Sequence, residues 1–328
     1  NNSRVPKIDP IELSLFASRM NAICEEMGAV LQRAALSPNI KERLDFSCAL
    51  FNSGGELCAQ AAHIPVHLAS MAFAMADIVK GVSWKAGDMI VVNDPFLGAT
   101  HLPDITVIAA FYFANRLSGF VANRAQHADV GAHSPGSMPV STRLQEDGLL
   151  LAPKPIIIQG RWNEALLQRI RQATQKSWQS EGDFSAQISA NRVALRRLAD
   201  LVKTMQSESF ASTLTALNDY GESLSRASLL KLKAGSYCFE DFMDDDGQGQ
   251  TDILIKVSMQ LSPERVLLDF TGTAGQVNGN INCPLAVTAA AVYHVFRCLM
   301  PPQTPACAGS LSLYCPTSGG GGGSSWRM

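Results

Sequence analysis

Five of the six histidines, His63, His67, His101, His127 and His133, fall between residues 63 and 133, and Asp94, Asp104 and Asp129 share that stretch. Nitrogen and carboxylate donors gathered this densely suit a divalent metal ion. Such an ion takes three or four ligands from rigid elements and keeps a position open if it is catalytic. The most specific element is His101-Leu102-Pro103-Asp104, in which Pro103 stiffens the segment and a His and an Asp stand three apart just ahead of a strand-like run. Upstream, Asp45 in Glu-Arg-Leu-Asp-Phe-Ser opens another such run, and downstream His127 closes a third. Asp45, His101, Asp104 and His127 are therefore the candidate metal ligands, and two histidines with two carboxylates suit zinc or manganese.

A plainer reading of the same residues stands beside this one. Loop aspartates often cap turns, and isolated histidines are commonly satisfied by a backbone hydrogen bond. Ligation by both His63 and His67, four apart across Pro65, requires a helix that Pro65 breaks, so packing is the favoured reading and both stay outside the set. His133, in the loop Gly131-Ala-His-Ser-Pro-Gly-Ser137, is a weak catalytic candidate that could equally be surface. Asn93-Asp94 ahead of Pro95 reads first as an Asx-turn. The sequence has no G-x-x-x-x-G-K-[ST] loop, no G-x-G-x-x-G after a strand and no G-x-S-x-G elbow, so ATP would need another subunit and covalent catalysis is disfavoured.

These residues need a scaffold. Asp9-Pro10 begins a helix whose apolar positions Phe16, Met20, Ile23, Met27, Val30 and Ala34 recur at helical spacing until Ser37-Pro38 ends it. Phe46 to Phe51 and Glu56 to Gln60 flank the turn Asn52-Ser-Gly-Gly55 as a β-hairpin. A helix over Val66 to Lys80, a strand over Asp88 to Val92, and strands over Ile105 to Phe113 and Gly119 to Ala125 follow. The pattern turns helical from Trp162 to about Ala227. Strands resume at Tyr237 to Phe242, Ile253 to Met259 and Arg265 to Phe270, and a helix covers Pro284 to Cys298. Runs of each type predict an α+β fold with mixed sheets and a loop-built metal site at strand ends. Residues 1–309 are expected to form one domain, and 310–328, with five consecutive glycines, a Gly/Ser-rich disordered tail.

Composition narrows the partners. Lys and Arg number 27 against 29 acidic residues, which leaves no charge excess for nucleic acid or an anionic membrane. The longest uncharged stretch, Leu57 to Ala76, holds Gln60, His63, Pro65 and His67, so no transmembrane helix is expected. Eight cysteines without a C-x-x-C pair, and no export signal, point to the cytoplasm.

The chain resembles the hydantoinase B family, which includes the hydantoinase B component of N-methylhydantoinase, the C-terminal half of 5-oxoprolinase and the related component of acetone and acetophenone carboxylases. The likeness runs through Glu42 to Ser47, Asn93-Asp94-Pro95, Thr100 to Asp104, Arg124 to Gly131, Gln145 to Gly148, Gly182 to Asn191 and Asn280 to Ala286. It implies the same ligands, Asp45, His101, Asp104 and His127. It also implies a small cyclic-amide substrate such as a hydantoin or 5-oxoproline, and a hetero-oligomer with a hydantoinase A-like ATP-binding subunit. That partner would phosphorylate the amide oxygen, and the metal would generate hydroxide near neutral pH and polarise the carbon under attack. Two alternatives stay open: a ketone carboxylase component with a similar metal site, and an inactive scaffold truncated relative to its family near Ala308.

Overall fold

The fold begins with Asp9 capping the first helix, its carboxylate accepting the Ile11 N–H at 2.7 Å with Pro10 in the first turn. In a computed structural model, described for residues 8–62, 64–136, 139–312 and 314–317, the elements run in chain order as follows. Helix α1 (Pro10–Ala34) and the short α2 (Pro38–Lys41) precede strands β1 (Phe46–Asn52) and β2 (Leu57–Ala62). Helix α3 (His67–Gly81), β3 (Met89–Val92), β4 (Asp104–Phe113) and β5 (Arg116–Gln126) come next, then β6 (Lys154–Ile158) and β7 (Arg161–Trp162). Three helices follow, α4 (Glu164–Ala173), α5 (Ser177–Met205) and α6 (Ser207–Leu229), and then β8 (Gly235–Asp245), β9 (Thr251–Leu261), β10 (Val266–Asp269), α7 (Leu285–Cys298), α8 (Ala308–Leu311) and β11 (Tyr314–Thr317).

Strands β1 to β7 form an antiparallel sheet in the order β2-β1-β5-β4-β3-β6-β7. Strands β8 to β11 form a smaller mixed sheet, β11-β10-β9-β8, in which β10 and β11 run parallel. The architecture is α+β. Residues pointing to one face of the large sheet, such as Phe46, Cys48, Leu50, Val107 and Val121, pack against the α1 stripe Phe16, Met20, Ile23, Met27 and Leu31 and against α5. Residues between them, Ala49, Phe51, Ile108 and Phe120, pack under α3 through Met71 and Met75. Both faces are covered, which is why β1 is buried from Phe46 to Phe51 and β3 is a continuous apolar run, with no polar-out alternation in either. Helix α7 lies on the smaller sheet, with Val292 and Phe296 against Val266 and Leu268.

The hairpin turn forms as its residues require: Asn52 Oδ1 accepts the N–H groups of Gly54 and Glu56 at 2.9 and 3.0 Å. The helical stretch after Trp162 divides at Thr174–Lys176 and again at Gln206, whose φ of 70° reverses the chain between α5 and α6. Strand β6 is not predicted by the sequence pattern, since Pro155 within it argues against a strand. The boundary drawn at 309 needs correction. Ser310 and Leu311 are buried in α8, and Gly309 sits so close to Asn218 of α6 that a Cβ would fall 1.8 Å from its carbonyl oxygen. With β11 completing the small sheet, ordered chain continues into the segment expected to be tail; the glycine run lies outside the described residues.

One buried carboxylate ties this scaffold together. Asp183 of α5 accepts the backbone N–H groups of Leu36 and Ser37 at 2.7 and 3.0 Å and the Ser37 hydroxyl, and Ser37 Oγ in turn accepts the Ala128 N–H at 3.1 Å. It thereby fixes α1, the approach to β1 and the loop after β5. Asp183→Ala leaves two buried donors and a half-buried one unpaired, so a loss of about 3 kcal/mol is expected, measured by denaturant unfolding; a loss below half that value would mean that water replaces the carboxylate.

Candidate metal centre

Strand register brings the acidic residues together. Phe46 of β1 and Ile105 of β4 both pair with Ala125 of β5, so the residues one step earlier on each outer strand, Asp45 and Asp104, flank Gln126 at the same end of the sheet. Leu44 has a φ of 56°, a left-handed conformation that turns the chain sharply so that Asp45 enters beside β5, where its carbonyl accepts the Gln126 N–H at 3.0 Å. From the α3 side of the sheet comes His67, the first residue of that helix. Ligand atoms of Asp45, His67 and Asp104 lie within 4.8 Å of one another, a possible metal-binding triad.

Asp104 is the hub. Its Oδ2 is 3.1 Å from His67 Nε2 and 3.4 Å from His101 Nδ1, and it accepts the Thr100 hydroxyl. Its Oδ1 is buried and has no hydrogen-bond partner among the described residues. Beyond it, Arg124 spans from the sheet to Thr106 Oγ1, Ser70 Oγ and the Gly98 carbonyl at 2.9, 2.6 and 2.8 Å. Gly98 is needed there: its φ is 91°, and a Cβ would fall 1.9 Å from that of Ala74. Asn93 braces the loop from the other side, donating to the Leu102 and Leu149 carbonyls and accepting the Leu151 N–H.

The electrostatics of the cluster suit a cation. Burial, followed by the charge of Asp104, raises the Asp45 carboxyl above its ordinary value, the mark of two carboxylates short of positive charge. Burial also opposes ionisation of Asp104, yet His67, His101 and Arg124 together outweigh it and hold that carboxyl well below the usual range. Arg124 itself is drawn down to about 10 by burial and stays charged at neutral pH. The donor set and the unpartnered Asp104 Oδ1 are the features a divalent ion would satisfy, so the residues fit such an ion.

A cavity of about 720 Å³ opens onto this cluster. Asp45, His67, His101 and Asp104 line one wall, Arg143 and Asp147 another, and residues 276–284 a third. That last segment is held in place by Asn280, which donates to the Pro139 carbonyl at 2.7 Å and to Asp147 at 3.3 Å, and by Asn282, which closes a turn on Val277 and Gly279. It joins the small sheet to α7, so the second sheet contributes the cover of a site built on the first.

The residues singled out from sequence are placed as follows. Asp45, His101 and Asp104 meet at the cavity. His127 is buried beside them but off the cavity wall: its N–H bonds to the Pro103 carbonyl at 2.9 Å, its ring packs on Phe184 with centroids 4.6 Å apart, and its Nε2 meets Gln187 Oε1 at 2.9 Å. Burial lowers its pKa, opposed by the charge of Asp183 and the Gln187 bond, and its Nδ1 has no hydrogen-bond partner among the described residues. His133 is exposed in its loop and absent from the cavity wall. Asp94 makes the expected Asx-turn to Phe96, and Asp129 is consumed by the N–H groups of Gly131, Gln175 and Lys176. His63 lies outside the described residues. The packing reading of His67 needs correction: Pro65 precedes α3 rather than interrupting it, so the helix starts at His67 and aims its ring at Asp104.

An α+β scaffold carrying a possible metal triad under a loop-covered cavity is thus the class of protein that the fold and site define. The chain belongs to the hydantoinase B/oxoprolinase family, whose model matches residues 9–315. It is 34% identical over 343 residues to the 5-oxoprolinase of Saccharomyces cerevisiae, covering 95% of this chain and 26% of that protein. Its fold is similar to that of the ATP-dependent caprolactamase of Pseudomonas jessenii, with a TM-score of 0.88 at 23% identity over 96% of this chain and 55% of that one. Acetone carboxylase in a nucleotide-free state has a similar fold too, with a TM-score of 0.87 at 17% identity over 94% of this chain and 43% of its own. The chain spans from 24% to 53% of the length of the first curated relatives it matches. Among the described residues no helix is long and apolar enough to cross a membrane.

Proposed function

We propose that this chain supplies the metal-dependent, ring-opening site of an ATP-dependent cyclic-amide hydrolase acting on a hydantoin or 5-oxoproline, together with a hydantoinase A-like subunit that uses the ATP. The observation that carries this reading is the Asp45, His67, Asp104 cluster, with an unpartnered Asp104 oxygen, at a cavity roomy enough for a five-membered ring. The name of the yeast relative, 5-oxoprolinase, agrees with it. Asp45, His101, Asp104 and His127 would hold the ion, with His67, the third member of the cluster, bonded to Asp104 Oδ2 instead of to the metal. Zinc or manganese there would supply a Lewis acid for the attack of water on the ring carbonyl.

The chain's own residues supply the rest. His67 orients Asp104 through Oδ2, with Ser47 Oγ 3.2 Å from the other ring nitrogen to hold the imidazole in place. Arg143 brings a positive charge to the cavity wall, where a substrate carboxylate or phosphoryl group would sit. Residues 276–284 limit the entry of water and fix the substrate's approach. A cytoplasmic hetero-oligomer fits Cys24, Cys48, Cys58, Cys238, Cys283, Cys298 and Cys307, which are free thiols.

The test is a reconstitution with the ATP-binding partner and a panel of hydantoin, 5-oxoproline and simple ketones, with ATP and labelled bicarbonate. ATP-dependent ring opening is expected. Label fixed into a ketone would move the chain to the carboxylases, and a metal-loaded complex inert on every cyclic amide would sink the hydrolase reading.

A further inference from the structure

Gln187 makes two hydrogen bonds whose directions are set by chemistry. Its side-chain nitrogen donates to the Ile105 carbonyl at 2.8 Å, and its side-chain oxygen lies 2.9 Å from His127 Nε2. A backbone carbonyl only accepts, so turning the Gln187 amide round would set two acceptors against each other. The atom facing His127 is therefore oxygen, and His127 Nε2 carries the proton it accepts. A neutral imidazole holds one N–H, which leaves Nδ1 as a bare lone pair, and that buried atom has no hydrogen-bond partner.

The amide cannot slide away from this role. Asn123 of β5 donates to the Gln187 carbonyl and to Asn191 Oδ1, both at 2.9 Å, and Asn191 donates to the Val107 carbonyl at 3.0 Å. Three buried amides thus register α5 on β4 and β5, with Gln187 at the end nearest Asp104. Of the four buried side-chain atoms without a partner among the described residues, Gln60 Oε1, Asn123 Oδ1, Asp104 Oδ1 and His127 Nδ1, the imidazole nitrogen and the carboxylate oxygen are the two of the kind a divalent cation takes as ligands. We propose that Gln187 is a positioning residue that locks His127 in its Nε2–H tautomer and so presents Nδ1 as a metal donor beside Asp104. The proposal rests on the reading of His127 as a ligand and adds the residue that makes it one.

Long-range 1H–15N correlation spectra of the metal-free protein, with His127 assigned from the spectrum of His127→Gln, read the tautomer directly. The parent is expected to show Nε2–H. Gln187→Met, similar in size but unable to accept, is expected to show both tautomers and to bind zinc about 10- to 100-fold more weakly in competition with a chromophoric chelator. Gln187→Glu, which keeps the acceptor toward His127 and, when protonated, a donor to the Ile105 carbonyl, is expected to recover part of that loss. An Nδ1–H signal in the parent overturns the tautomer assignment whether or not the variants fold, and parent-like zinc affinity in Gln187→Met overturns the positioning role. If the parent is Nε2–H but His127→Gln binds zinc as tightly, the ligand reading itself fails, an outcome distinct from the first two.

Discussion

In Asp104→Ala, bound zinc or manganese is expected to fall from about one equivalent to a small fraction, with affinity weakened by more than the roughly 100-fold seen when outer partners of a metal site are lost. Asp104 is the point where the cluster converges, touching His67, His101 and Thr100 through Oδ2 and leaving Oδ1 free. The variant also leaves Arg124 buried without its acidic neighbour, so folding stability should drop by about 3 kcal/mol. Asp104→Asn keeps the shape and the Thr100 contact while removing the charge, which separates the two effects: metal should be lost with a smaller change in melting temperature. Metal content by mass spectrometry on purified protein, beside thermal melts with and without chelator, reads both. A parent without metal even after reconstitution, or an alanine variant retaining a full equivalent, would sink the metal site.

Arg124→Met is expected to be the counterpart, a large loss of stability with metal stoichiometry kept. The guanidinium is 2% exposed and satisfies Thr106, Ser70 and the Gly98 carbonyl together. Its removal leaves a buried carbonyl and two hydroxyls to find other partners and takes the balancing charge from Asp104, at a cost of about 3 to 5 kcal/mol. For a chain of this size that corresponds to a fall in melting temperature of roughly 4 to 7 °C. Removing a positive charge near a cation site favours the cation, which offsets some loosening of the loop. Retained metal below the melting transition therefore assigns Arg124 to the scaffold, whereas loss of metal in a folded variant would place it in the machinery that holds Asp104.

The pairing of His101 with Asp104 is legible in the sequence because three residues containing a proline can hold two side chains against each other without help from the rest of the chain. The α1 stripe and the Asn52 turn are legible for the same reason: helical period and turn chemistry act over a few residues. His67 escapes such a reading because the direction of its ring, toward Asp104, is set by how the helix it starts docks on the sheet and not by the residues around it.

Tertiary structure alone decided the rest. Asp45 meets Asp104 only because β5 lies between β1 and β4, with Ala125 paired to both Phe46 and Ile105; a slip of one residue in either ladder would turn one carboxylate to the α5 face. Gln187 bears on His127 only because α5 crosses the same sheet with Asn191 and Asn123 in register. Residues 276–284 reach the cavity from a second sheet. The sequence by itself determined the helices and strands with a clear period or turn signal, and which residue types could bind a metal. Strand order, register and helix crossing determined which of them meet, since those contacts join residues tens to hundreds of positions apart and no local preference encodes them.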